Sequence, residues 1–66
     1  MSRYSVSTWY AYNVFGADEH YCVGLFRGDK RIDVWSYSTY FSRRRAHDKA
    51  ERKIVQLRLA YDASLN

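Results

Sequence analysis

The stretch Ser42-Arg43-Arg44-Arg45-Ala46-His47-Asp48-Lys49-Ala50-Glu51-Arg52-Lys53-Ile54-Val55-Gln56-Leu57-Arg58-Leu59-Ala60-Tyr61 decides the fold. It holds neither Gly nor Pro and is dense in Ala, Arg, Lys, Glu, Gln and Leu, which lose little on entering a helix. Ser42 has the side chain of an N-cap. At about 100° per residue, Ala46, Ala50, Ile54, Leu57 and Tyr61 fall on one stripe, the pattern of a helix resting on a core. His47 stands at the edge of that stripe and reads as a partly exposed packing residue. One flank carries a basic ridge, Arg45, Lys49, Arg52 and Lys53, continuing to Gln56. The opposite side holds Val55 and Leu59 among Arg44, Asp48, Glu51 and Asp62.

The stripe requires a partner, and the preceding residues supply strands. From Tyr4 to Phe15 the chain alternates, with Tyr4, Val6, Thr8, Tyr10, Tyr12 and Val14 on one face and Ser7, Trp9, Ala11, Asn13 and Phe15 on the other. Gly16-Ala17-Asp18-Glu19 has turn composition. A second strand runs from His20 to Arg27, Gly28-Asp29 suits a tight hairpin turn of type II′, and a third strand runs from Arg31 to about Tyr37. A tight turn places Leu25 opposite Ile32 and Val23 opposite Val34. A four-residue loop at 16–19 places Tyr12 opposite Val23 and Tyr10 opposite Leu25. The expected fold class is therefore α+β, a three-stranded antiparallel β-meander packed on one C-terminal α-helix (βββα). The expected bounds are strands at about 4–15, 20–27 and 31–37 and a helix at about 42–63, in one domain spanning 1–66. Phe41, just before the cap, is placed to staple the helix entry.

One helix covers one side of a sheet. Trp9, Phe26 and Trp35 are then expected on the uncovered side, with Phe15, Tyr37, Asn13 and Arg31 near them, and an aromatic patch of that kind marks an interaction surface. The short core raises the same expectation. A chain of this length buries only about 60% of its unfolded surface, and its single cysteine, Cys22, allows no internal disulfide. Oligomerisation or a tight partner is a common reinforcement of such cores, and Val55 with Leu59 offers a face for a homodimer or a partner.

Eleven Lys and Arg against seven Asp and Glu give a formal charge of +4, much of the excess lying between Arg43 and Arg58. That asymmetry favours a polyanion or an acidic protein surface. Arg45, Lys49 and Arg52 recur one helical turn apart, so their heads can follow a line of phosphates. Arg43, Arg44 and Arg45 at the helix start oppose the macrodipole, a cost that a binding role would explain. A solvated helix face with i to i±4 pairs among Asp48, Glu51, Asp62 and Arg44, Arg52, Arg58 explains the same residues without a ligand. No run has the length of a membrane span, and a lone Cys without an apolar leader suggests a cytoplasmic protein.

Signals for chemistry are weak. His20 and Cys22 lie two apart on one strand face with Asp33 as a third candidate, too few ligands for zinc and too open for a catalytic triad. No phosphate loop, G-x-S-x-G or H-E-x-x-H occurs. Neither catalysis nor a cofactor or metal is expected, and Arg27-Gly28-Asp29 reads as a hairpin turn.

Ser42-Arg43-Arg44-x-Ala46-x3-Ala50 resembles the start of the last helix of double-stranded RNA-binding domains, where a basic pair after the cap touches phosphate. The first helix of that family has no counterpart, because Tyr4 already begins a strand. The order of three strands and a helix is similar to that of AP2-type and integrase arm-binding domains, which read DNA with the sheet. In size and economy the chain also resembles small phage accessory proteins that block host machinery, anti-CRISPR proteins among them. Two expectations stand together. The first is a small non-enzymatic nucleic-acid-binding protein using Arg43, Arg44, Arg45, Lys49, Arg52, Lys53 and Arg31 with Trp9, Phe26 and Trp35. The second is an inhibitor or adaptor that binds a nucleic-acid-handling protein through the same surfaces.

Overall fold

The computed structural model describes residues 3–12 and 18–65. Three antiparallel strands form the meander: β1 (Tyr4–Tyr12), β2 (Glu19–Arg27) and β3 (Lys30–Ser38). Helix α1 (Arg43–Tyr61) follows, and a short strand β4 (Ser64–Leu65) returns parallel to β1 beside Ser5 and Val6. The sheet order is β3-β2-β1-β4. This is the α+β, βββα arrangement expected, with one small strand added. The expected extension of the first strand through Asn13, Val14 and Phe15 and the turn residues Gly16 and Ala17 lie outside the described residues.

The helix forms as its sequence dictates. Ser42 is extended (φ −169°, ψ 125°) and its hydroxyl accepts the Arg45 amide at 3.3 Å, satisfying one of the orphan donors of the first turn. Ala46, Ala50, Ile54 and Leu57 are buried. Phe41 makes no staple: it is 87% exposed, and its ring meets that of Tyr40 edge-on at 5.0 Å. Asp62 ends the helix in the left-handed region (φ 54°, ψ 38°). The helix therefore stops short of the expected residue 63, and Ala63 turns into the core instead.

The core lies between α1 and one face of the sheet. Val6, Val23 and Leu25 are fully buried against Ala50, Ile54, Leu57 and Ala63. Burying such aliphatic side chains stabilises by about 1.5–3 kcal/mol each, so these three carry much of a core this small. Tyr4, Tyr21, Trp35 and Tyr37 pack around it.

Two registers differ from expectation. In β1–β2 the ladder slides by four residues, so Val6 faces Leu25, Thr8 faces Val23 and Tyr10 faces Tyr21. An even slide keeps every face. In β2–β3 the two-residue turn at Gly28-Asp29 forms, with Arg27 opposite Lys30 and Phe26 opposite Arg31. Gly28 has φ 64° and Asp29 has no positive φ, the pattern of the II′ turn. Beyond Phe26 the register shifts: Leu25 faces Asp33, Val23 faces Trp35 and Tyr21 faces Tyr37. Ile32 is the extra residue of a β-bulge. That single residue exchanges the faces of everything after it.

Candidate binding surfaces

The bulge corrects the aromatic surface. Trp35 and Tyr37, expected on the uncovered side, lie beneath α1 against the core. Lys53 places its Nζ 4.8 Å from the centre of the Trp35 ring, a cation–π contact that ties the inner edge of the basic ridge to β3. Val34, expected under the helix, faces outward opposite Gly24, and Ile32 is 46% exposed. A one-residue bulge thus exchanges two aliphatic side chains for two large rings in the core. The rings bury more apolar area.

Trp9 and Phe26 remain on the outer side, half-buried rather than projecting. Their rings meet edge to face at 6.4 Å, over Gly24. A Cβ there would lie 2.7 Å from Phe26 Cε2 and 2.8 Å from the Trp9 ring, so only glycine admits both rings so close to the sheet. Ser5, Ser7 and Ala11 on β1, and Ser36 and Ser38 on β3, surround the pair with small side chains. Arg31, opposite Phe26, is exposed at the margin of this face. His20 and Cys22 share the face, whereas Asp33 sits opposite Leu25 on the helix side, so the three residues considered for chemistry are not brought together. Cys22 is buried, which pushes its thiol pKa up. Among the described residues no three His, Cys, Asp or Glu side chains are grouped to hold a metal ion, and no helix is long and apolar enough to cross a membrane.

At the start of α1 the three arginines have separate fates. Arg43 is held by Glu19 of β2, its Nε to Oε1 at 2.9 Å and one terminal nitrogen to Oε2 at 2.8 Å. Its guanidinium also lies 5.4 Å from the centre of the Tyr10 ring. Glu19 further accepts the Tyr12 hydroxyl at 2.9 Å and the Thr39 hydroxyl at 2.9 Å. Arg43 first, then the Tyr12 hydroxyl, hold the Glu19 carboxyl below the usual glutamate value, and the same carboxylate raises the Tyr12 phenol. No acidic residue occupies the first turn of α1. Glu19 supplies the negative charge from another strand, which offsets part of the macrodipole cost of Arg43. Beside it, His47 stacks on Tyr21 at 4.0 Å and 16° and is hydrogen-bonded through Nε2 to the Tyr10 hydroxyl. It is the packing histidine its position suggests.

Arg44 and Arg45 are exposed, and so are Lys49 and Arg52. Among the described residues the only ion pair is Arg43 with Glu19, so the i to i±4 pairs that would explain the ridge without a ligand are not formed. No protein-family model, curated protein or solved structure matches this chain.

A second surface lies at the far end of α1. Leu59 is 82% and Val55 55% exposed, and they flank a shallow groove of about 300 Å³ lined by Val55, Arg58, Leu59, Asp62 and Ala63. Arg58 and Asp62 were not among the expected site residues. Their signal was present in the sequence, since Val55, Arg58, Leu59 and Asp62 stand at i, i+3, i+4 and i+7.

Proposed function

We propose that this chain is a small non-catalytic binding module of the cytoplasm that engages nucleic acid through the exposed ridge of α1. The observation that carries the reading is the set Arg45, Lys49 and Arg52, one turn apart, exposed, and without an acidic partner among the described residues. Cations so spaced neutralise consecutive phosphates and release counterions, so binding falls steeply with salt. Arg44 stands on the neighbouring outward side, and Lys53, anchored on Trp35, fixes the inner edge of the ridge. Arg43 contributes to the architecture through Glu19 rather than to the contact. Trp9, Phe26 and Arg31 form a separate, smaller surface. With Trp35 beneath the helix, the sheet offers no three-ring platform, and the phosphate contacts carry the affinity.

Electrophoretic shift of single-stranded and duplex nucleic acid at low salt tests the reading. Binding is expected for the wild type and is expected to weaken in an Arg45→Gln/Lys49→Gln variant. Absence of any shift with either probe would overturn it.

A second reading is an inhibitor or adaptor of a nucleic-acid-handling protein. It is supported by the 82% exposure of Leu59, an apolar side chain that a phosphate contact leaves unused. Capture of one protein that survives nuclease treatment and is lost with Leu59→Asp would favour this reading over the first.

A further inference from the structure

On the outward side of α1, Asp48, Arg52, Val55, Leu59 and Asp62 are all exposed and follow one another at spacings of four, three, four and three residues. That is the seam of a coiled coil, apolar in the middle and charged at both ends. The groove beside it is built by Val55, Arg58, Leu59 and Asp62, the i, i+3, i+4, i+7 set that makes a hole for one incoming side chain. Ala63 closes its floor.

We infer that the occupant of this seam is a second copy of the chain, related by a two-fold axis that pairs the two α1 helices antiparallel through Val55 and Leu59. Charge complementarity selects both the partner and the direction. In a parallel pair Arg52 would meet Arg52 and Asp62 would meet Asp62, two like-charge contacts. In an antiparallel pair with Val55 facing Leu59 of the second copy, Arg52 falls opposite Asp62, and symmetry makes this favourable contact twice. The same register seats Val55 of each copy in the hole of the other. The assembly is a sheet, two helices and a sheet. The apolar centre of α1's outer side, which the single chain leaves in water, becomes its second core.

The two-fold has a consequence for the basic ridge. It stands normal to the plane of the two helices, so the flank carrying Arg45, Lys49 and Gln56 faces the same side in both copies, and the two flanks form one cationic surface. The pairing itself does not depend on nucleic-acid binding and is tested without nucleic acid.

Equilibrium sedimentation of the purified chain at high micromolar concentration is expected to give twice the 7.9 kDa chain mass. Leu59→Asp is expected to give the single-chain mass. Arg52→Glu, which sets a carboxylate against Asp62 of the second copy, is expected to raise the dissociation constant by about tenfold or more. Adding Asp62→Asn to Arg52→Glu removes that repulsion and is expected to restore most of the affinity; asparagine tolerates the left-handed backbone of position 62. All of these positions are exposed, and circular dichroism confirms that each variant keeps its fold. A wild type that sediments as one chain overturns the proposal. So does a dimer indifferent to Leu59→Asp. If Arg52→Glu weakens nothing, or Asp62→Asn fails to recover it, the antiparallel direction is overturned.

Discussion

The Glu19 carboxylate joins four segments. It comes from β2, accepts the hydroxyl of Tyr12 on β1 and of Thr39 after β3, and holds Arg43 at the start of α1. Because its native pKa lies below the ordinary value of 4.5, the stabilisation it provides is complete above that value and is lost as pH falls through the lowered native pKa. Glu19→Gln is therefore expected to melt below wild type at neutral pH, and the gap should narrow as the buffer is taken below 4.5. Melting temperatures across that range check the sign. A gap constant with pH would mean that the carboxylate's charge is not what matters. Gly24 poses a packing question instead. A methyl group there would meet Trp9 and Phe26 at 2.7–2.8 Å, so Gly24→Ala must move both rings off the sheet. We expect a loss of about 1–3 kcal/mol in denaturant melts and a red shift of tryptophan emission.

At the scale of elements, much of the fold is legible in the residue pattern, and the remainder fails for a definable reason. Ala46, Ala50, Ile54 and Leu57 recur at helical spacing with polar residues between them, so their burial follows from the sequence. Gly28-Asp29 announces its turn, and the two pairs next to the turn obey it. In β3, however, Ile32 and Val34 form one alternating set and Trp35 and Tyr37 the other. Both sets are apolar, and a period of two cannot choose between them. The choice is made in three dimensions, by how much ring area α1 can cover, and the bulge at Ile32 is the device that makes it. The Asp33 carboxylate beside it accepts the Val34 amide at 2.9 Å. For the same reason the basic ridge was readable while the aromatic surface was not. The ridge depends only on helical phase, whereas the aromatic surface depends on register. Strand β4 spans two residues, too few for any pattern. Deleting Ile32 closes the ladder without moving the pairs beyond it: Leu25 stays opposite Asp33 and Val23 opposite Trp35, so Trp35 and Tyr37 stay beneath α1. The expected cost is about 0.5–3 kcal/mol, from the lost local twist and a half-exposed side chain rather than from the core. A retained cooperative thermal transition with tryptophan emission like that of the wild type checks this, and loss of the cooperative transition would show that the fold needs the bulge itself.

For the whole molecule, the basic flank and the outward seam meet at Arg52. In the paired form Asp62 of the second copy takes Arg52 and leaves Arg45 and Lys49 to the phosphates, so variants that avoid Arg52 separate the two proposals. The slope of log affinity against log salt counts the phosphates neutralised, at about −0.9 per phosphate on duplex DNA. Arg45 and Lys49 stand clear of the seam, so Arg45→Gln/Lys49→Gln is expected to flatten that slope by about one unit for each cation removed per chain while leaving the sedimentation mass unchanged. Leu59→Asp is expected to act the other way. It removes no cation, yet by separating the copies it divides the cationic surface, and the slope should fall to roughly half that of the wild type. Titrations of one duplex at several salt concentrations, with wild type and the two variants, read both effects. If Leu59→Asp separates the copies but keeps the full wild-type slope, each chain binds alone, and the two-fold brings no second ridge to the phosphates. If the Arg45 and Lys49 replacements leave the slope untouched, the phosphates are held elsewhere. Arg31 beside Trp9 and Phe26 on the outer sheet would then be the next residue to replace.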